Sequence, residues 1–214
     1  MNQRMRGFTL IEVLLATMLL VMGLGLAFAT LRSSTVVVQR GELIAQRSER
    51  MRAVQGFLRK RISSAQLIAF ATDPATQQQS RFIGEPQRMR FVSDLPDYLG
   101  RGGPYLHDLV VADEGSRLLV SFNMVQSGQA IQEAQPRPPE PLADELRGVR
   151  FRYRGLKQEG GLADWQPQWT APEVLPVQVA IDIESADGTR WPSLIVTLAQ
   201  GSGSNDGNAG MVPR

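Results

Sequence analysis

The run FTLIEVLLATMLLVMGLGLAFATL, residues 8–31, constrains this chain more than any other feature. It is apolar for 24 residues and carries a single charge, Glu12. As a helix rising about 1.5 Å per residue it reaches roughly 36 Å, enough to cross a hydrocarbon core of about 30 Å. Arg4 and Arg6 precede the run and Arg32 follows it. The basic excess on the N-terminal side predicts a cytoplasmic N-terminus with the remainder exported. A cleavable secretory signal would have a shorter apolar region and a small-x-small site after it, and Ala27-Phe28-Ala29 fits that poorly. A plain anchor explains the length but not Glu12. A carboxylate in a membrane helix costs about 2.5–3.5 kcal/mol at mid-membrane and less near the interface.

Basic residue, glycine, aromatic and acid fall in register in Arg6-Gly7-Phe8-Thr9-Leu10-Ile11-Glu12-Val13. This segment resembles the class III signal of type IV pilins and type II secretion pseudopilins. The resemblance implies that a prepilin peptidase cuts between Gly7 and Phe8 on the cytoplasmic side and that Phe8 becomes the N-methylated first residue. It implies that the apolar run stays as the anchor, and that Glu12 meets the N-terminal amine of a neighbouring subunit in a filament. Two unit charges about 4 Å apart gain on the order of 4 kcal/mol at an effective dielectric of 20, enough to offset much of the cost of placing Glu12 there.

Helical periodicity continues past the anchor. Met51, Val54, Leu58, Ile62, Ala65 and Ala69 form one stripe of an amphipathic helix, which Asp73-Pro74 would close. Gly23, Gly25, Gly41 and Gly56 weaken it locally, and the first two mark a bend or close packing in the membrane. Seven basic residues stand between positions 40 and 61 against Glu42 and Glu49. A solvated face is the plain reading; the functional one is that Arg47 and Arg50 meet acidic neighbours or anionic lipid. Beyond residue 80 the period changes to two, with strands expected at 89–93, 106–111, 117–123, 149–154 and 177–183. A turn at Asp187-Gly188 leads into a last strand from Trp191 to Leu198. The Pro-rich stretch 136–141 reads as an extended surface loop and the Gly/Ser/Asn tail as disordered. The expected fold is α+β and pilin-like, a long N-terminal helix packed on antiparallel sheets. The expected divisions are leader 1–7, transmembrane helix 8–31, amphipathic helix 32–73, β-rich domain 74–200 and tail 201–214.

With no cysteine and one histidine, His107, thiolate chemistry is excluded and common histidine-based hydrolysis or zinc chemistry has little to work with. His107 and Asp108 are strand neighbours and point to opposite faces, so they do not cooperate as a dyad. Asp94 with Asp97, or Asp113 with Glu114, follow no calcium loop, and no metal or cofactor is expected. Arg150, Arg152 and Arg154 could touch phosphate, but a net charge of +2 gives little support for nucleic acid, and arginines on a wet strand face usually solubilise it. Trp165 and Trp169 could stack on a ligand; packing over the sheet is the favoured reading.

The segments LADELRGVRFRYRG, ADWQPQW and LPVQVAIDIESADGTRW, within residues 142–191, resemble the J-type minor pseudopilins of type II secretion in their order. That resemblance implies a structural, non-enzymatic subunit anchored in the bacterial inner membrane with its C-terminal domain in the periplasm. It would stand at the tip of a short pseudopilus with minor pseudopilins I and K, close to pseudopilin H and the major pseudopilin, and would grow from an inner-membrane assembly platform. A type IV pilus minor pilin, used for adhesion, motility or DNA uptake, is the alternative. A membrane-anchored periplasmic enzyme is the third.

Overall fold

The structure is a computed structural model that describes residues 9–95, 102–131 and 137–199, with the backbone alone at 30–40 and 43. The leader 1–7, the pair Gly7–Phe8, Asp97, the start of the Pro-rich stretch and the tail 201–214 lie outside the described residues. The chain divides into two compact units on either side of Met51 and Arg52.

The N-terminal unit is helical. Helix α1 runs Leu10–Ser63 and is rich in Leu, Met and Ala, which lose little on entering a helix. Its segment Leu10–Ala29 has a mean hydropathy of 2.3 and none of it is buried. An apolar surface of that length exposed on every side belongs in lipid, not water. The helix passes through Gly23 and Gly25 unbroken, and a Cβ added at either would meet nothing within 4 Å, so no contact within the described chain requires glycine there.

In the second unit, α1 buries Val54, Leu58 and Ile62 along one stripe. The helix ends at Ser63, well before the expected Asp73. The Ser64 hydroxyl donates to the Lys60 carbonyl at 2.7 Å, and the Gln66 amide then donates to Val92 O at 2.7 Å, which draws the chain into extended pairing. Ala65 and Ala69 continue the helical spacing by coincidence. Asp73 instead opens a turn, its carboxylate accepting the Ala75 amide at 2.8 Å. That bond and a second from Thr76 hold its pKa below the usual carboxylate value.

The strands are β1 (Ala71–Thr72), β2 (Gln79–Ser80), β3 (Phe82–Gly84), β4 (Arg88–Asp94), β5 (Pro104–Ala112), β6 (Arg117–Gln126), β7 (Gln129–Ala130), β8 (Glu140–Ala143), β9 (Leu146–Arg154), β10 (Gln178–Ser185) and β11 (Leu194–Thr197). A larger antiparallel sheet has the order β3-β4-β5-β6-β7, with β8 also on β6; a smaller one has the order β11-β10-β9; β1 and β2 pair separately. The end of the Pro-rich stretch is therefore not a loop. Pro141 stands opposite Leu119 in the β6–β8 ladder, an edge position where a missing amide is tolerated.

Period-two alternation puts Val149, Phe151 and Tyr153 of β9 and Val179, Ile181 and Ile183 of β10 into the core, together with Leu58 and Ile62 of α1 and Phe82, Met89, Phe91 and Leu118 of the larger sheet. Each large side chain buried there contributes about 1.5–3 kcal/mol. The two sheets are stitched by rings and backbone. Tyr153 meets Phe82 edge-on at 5.7 Å and donates its hydroxyl to Glu85 O at 2.8 Å. The Phe151 amide donates to Pro86 O at 3.1 Å and the Trp169 amide to Gly84 O at 2.8 Å. A Cβ on Gly84 would lie 2.7 Å from the Tyr153 ring, so glycine is what allows the ring its place.

Candidate functional site

Of the groups singled out in the sequence, Glu12, Arg47 and Arg50 lie on α1. Glu12 sits in the first turn of the described helix, where a negative charge suits the helix dipole. With Val13, Ala16, Thr17 and Leu20 it lines a shallow groove along the anchor. The small Ala16 lies one turn on from the carboxylate, and the Thr17 hydroxyl turns inward to Leu14 O at 2.9 Å. The groove thus offers one charge against an apolar wall. Arg47 and Arg50 are exposed and stand three residues apart on one side of α1. Gly7 and Phe8 lie outside the described residues.

The arginine ladder of β9 is mostly occupied by its own sheet. Arg152 reaches Asp182 at 2.7 Å, and Arg154 forks onto Gln178. Arg154 also lies over the half-buried Trp165, its guanidinium carbon 4.2 Å from the ring centre, with Arg152 behind at 5.6 Å. Trp169 packs on the core and donates its indole N–H to Val174 O at 2.9 Å.

His107 and Asp108 do separate. Asp108 takes Arg88 at 2.7 Å and Arg90 at 3.0 Å on one face, and holds the Arg88 pKa above its ordinary value. His107 is buried on the other face, stacked on Phe91 at 5.2 Å and edge-on to Phe122 at 5.0 Å, with Nδ1 3.0 Å from Tyr105 O. Burial, aided by nearby Arg61, pushes its pKa down to about 4 from 6.5. The unfolded chain therefore holds a proton that the folded one refuses between those values. The stability His107 contributes is complete above pH 6.5 and falls toward pH 4, by up to about 3 kcal/mol. Urea denaturation at stepped pH should show this slope, and His107→Leu should flatten it.

Of the carboxylates weighed for calcium, Asp113 pairs with Arg117 at 3.2 Å, and among the described residues no three acids or histidines gather to hold a metal ion. Sequence reasoning missed one cleft, which gathers Arg147, Gly148, Glu184, Arg190 and Trp191 with Glu114. A glycine inside a strand, Gly148, was its one local signal.

Residues 2–28 match the family model of the prokaryotic N-terminal methylation motif. Across 206 residues, 95% of this chain and 97% of the relative, the sequence is 57% identical to type II secretion system protein J of Xanthomonas campestris pv. campestris. The chain belongs to the protein J family of type II secretion systems. It is thus a minor pseudopilin of type II secretion. A solved chain from the GspK–GspI–GspJ complex of the enterotoxigenic Escherichia coli type 2 secretion system shares its fold. That match has a TM-score of 0.50 at 15% identity and covers 70% of this chain and 95% of that one. In a protein J family member, the exposed apolar helix is the anchor of an inner-membrane protein, and the family is a structural one.

Proposed function

We propose that this protein J family member is a non-catalytic subunit of the pseudopilus tip. It joins minor pseudopilins I and K, its β-rich domain lies in the periplasm, and together they prime a filament that drives folded proteins through the outer membrane. The observation that carries this reading is the wholly exposed apolar helix with one carboxylate in its first turn. Such a helix is built to slide from lipid into a bundle of like helices, where Glu12 finds a neighbour's amine. The 57% identity to a secretion protein favours this over a pilus subunit.

The full chain, purified in detergent with its matching I and K subunits, should run as a defined heteromer by size-exclusion chromatography with light scattering. A strict monomer at tens of micromolar would overturn the tip reading. Arg47→Glu with Arg50→Glu should weaken the heteromer about tenfold if these side chains face acidic partners; an unchanged heteromer would return them to a solvated face. Glu12→Leu should insert and be processed normally, because the insertion penalty is gone, yet enter assembled pseudopili several-fold less. Assembly equal to wild type would remove the proposed pairing.

A further inference from the structure

Within the β-rich unit, the outward side of α1 carries cations that the described chain does not neutralise. From Arg52 to Ser63 the helix holds four basic residues and no acid. At about 3.6 residues per turn, Arg52, Gly56, Arg59 and Lys60 fall on the side opposite the buried Val54, Leu58 and Ile62. All four are exposed. Arg61 is on the other side, buried, and donates to Asp94 O. Arg59 reaches a neutral group, Ile195 O, at 3.2 Å on the edge of β11. Neither Arg52 nor Lys60 forms an ion pair with a described carboxylate. The acids on this side of the helix, Glu42 and Glu49, come before Arg52. Charge is therefore sorted along it, acids first and cations after.

Gly56 stands between Arg52 and Lys60, four residues from each. A Cβ added there would meet nothing within 4 Å. Glycine in a helix interior is destabilising relative to alanine, and no contact within the described chain requires it at this position. What glycine offers there is a flat spot where a second backbone can come close.

We propose that this side of α1 selects a neighbouring subunit whose facing helix carries carboxylates. The two helices cross at Gly56, and Arg52 and Lys60 pair with acids on either side of the crossing. The sorted charge fixes the axial position of the neighbour, because a slip toward Glu42 and Glu49 sets acid against acid. A lipid headgroup or a free anion would use the cations but not the glycine. Arg47 and Arg50 fall on the side of the buried stripe and are separate. The inference rests on the reading of this chain as a subunit that joins I and K.

The full chain in detergent with its matching I and K subunits tests it, with assembly read by light scattering and stability by tryptophan fluorescence on heating. Gly56→Leu should raise the unfolding midpoint by about 2–4 °C, because a helix former replaces glycine, yet weaken the heteromer about tenfold. Arg52→Glu with Lys60→Glu should weaken it about tenfold and move the midpoint by under about 2 °C. Lys157→Glu, a charge reversal in an exposed turn, should change neither. A heteromer that keeps wild-type affinity in both α1 variants would overturn the proposal and return these side chains to a solvated face, with the tip reading intact. So would an equal loss with Lys157→Glu, or sensitivity to the charge reversal with none to Gly56→Leu. If the wild-type chain forms no heteromer with I and K, the tip reading falls by itself. Recovery in sheared pseudopili then decides, and α1 variants recovered as fully as wild type would overturn the proposal there too.

Discussion

Gly7→Leu is expected to leave the protein unprocessed in the membrane and to reduce secretion to background. A peptidase that cuts after glycine must approach the backbone closely, and a side chain larger than a methyl group stands in its path. Gly7→Ala should retain most processing. Intact mass is the deciding measurement. Wild-type protein from cells with an active prepilin peptidase should begin at N-methylated Phe8, and Gly7→Leu should keep residues 1–7. Wild-type protein that retains Met1 would remove the basis for treating the N-terminal motif as a cleavage signal.

The second large effect is on the folded domain. Leu58 is fully buried at the centre of the α1 stripe. Leu58→Ala should destabilise the domain by about 2–5 kcal/mol, through lost burial and the void left behind. That is a large share of a domain's usual 5–15 kcal/mol. Ile44, on the same helix, is 69% exposed, and Ile44→Ala should shift stability by under about 0.5 kcal/mol. Tryptophan fluorescence during urea denaturation separates the two, because Trp165, Trp169 and Trp191 all lie in the β-rich domain.

The order of elements was legible in the residues because each has a pattern that neither loop nor tertiary context disguises. The anchor shows as unbroken apolarity, and β9 and β10 as alternation that matches their buried faces. The helix end was not legible. Ala65 and Ala69 keep a helical spacing, while what stops the helix is the Gln66 amide finding Val92 O, a contact 26 residues away in sequence. β8 was hidden by its proline, Pro141, which sits safely at an edge that only the β6 pairing defines. At the N-terminus the opposite holds. The motif around Gly7, Phe8 and Glu12 is local and could be read at once. The cleft around Gly148 was not readable, because its charged residues come from four separated segments.

The amides of Phe151 in β9 and of Trp169 in the β9–β10 connection donate hydrogen bonds to the carbonyls of Pro86 and Gly84, on the larger sheet's side. Their hydrogen exchange therefore reports whether the sheets have parted, whereas amides paired within β9 and β10 report whether the small sheet itself has opened. If a filament load shears the sheets before unravelling either, Phe151 and Trp169 should label first, while the β9–β10 ladder is still protected. A deuterium pulse on assembled pseudopili would then measure how force passes through the subunit.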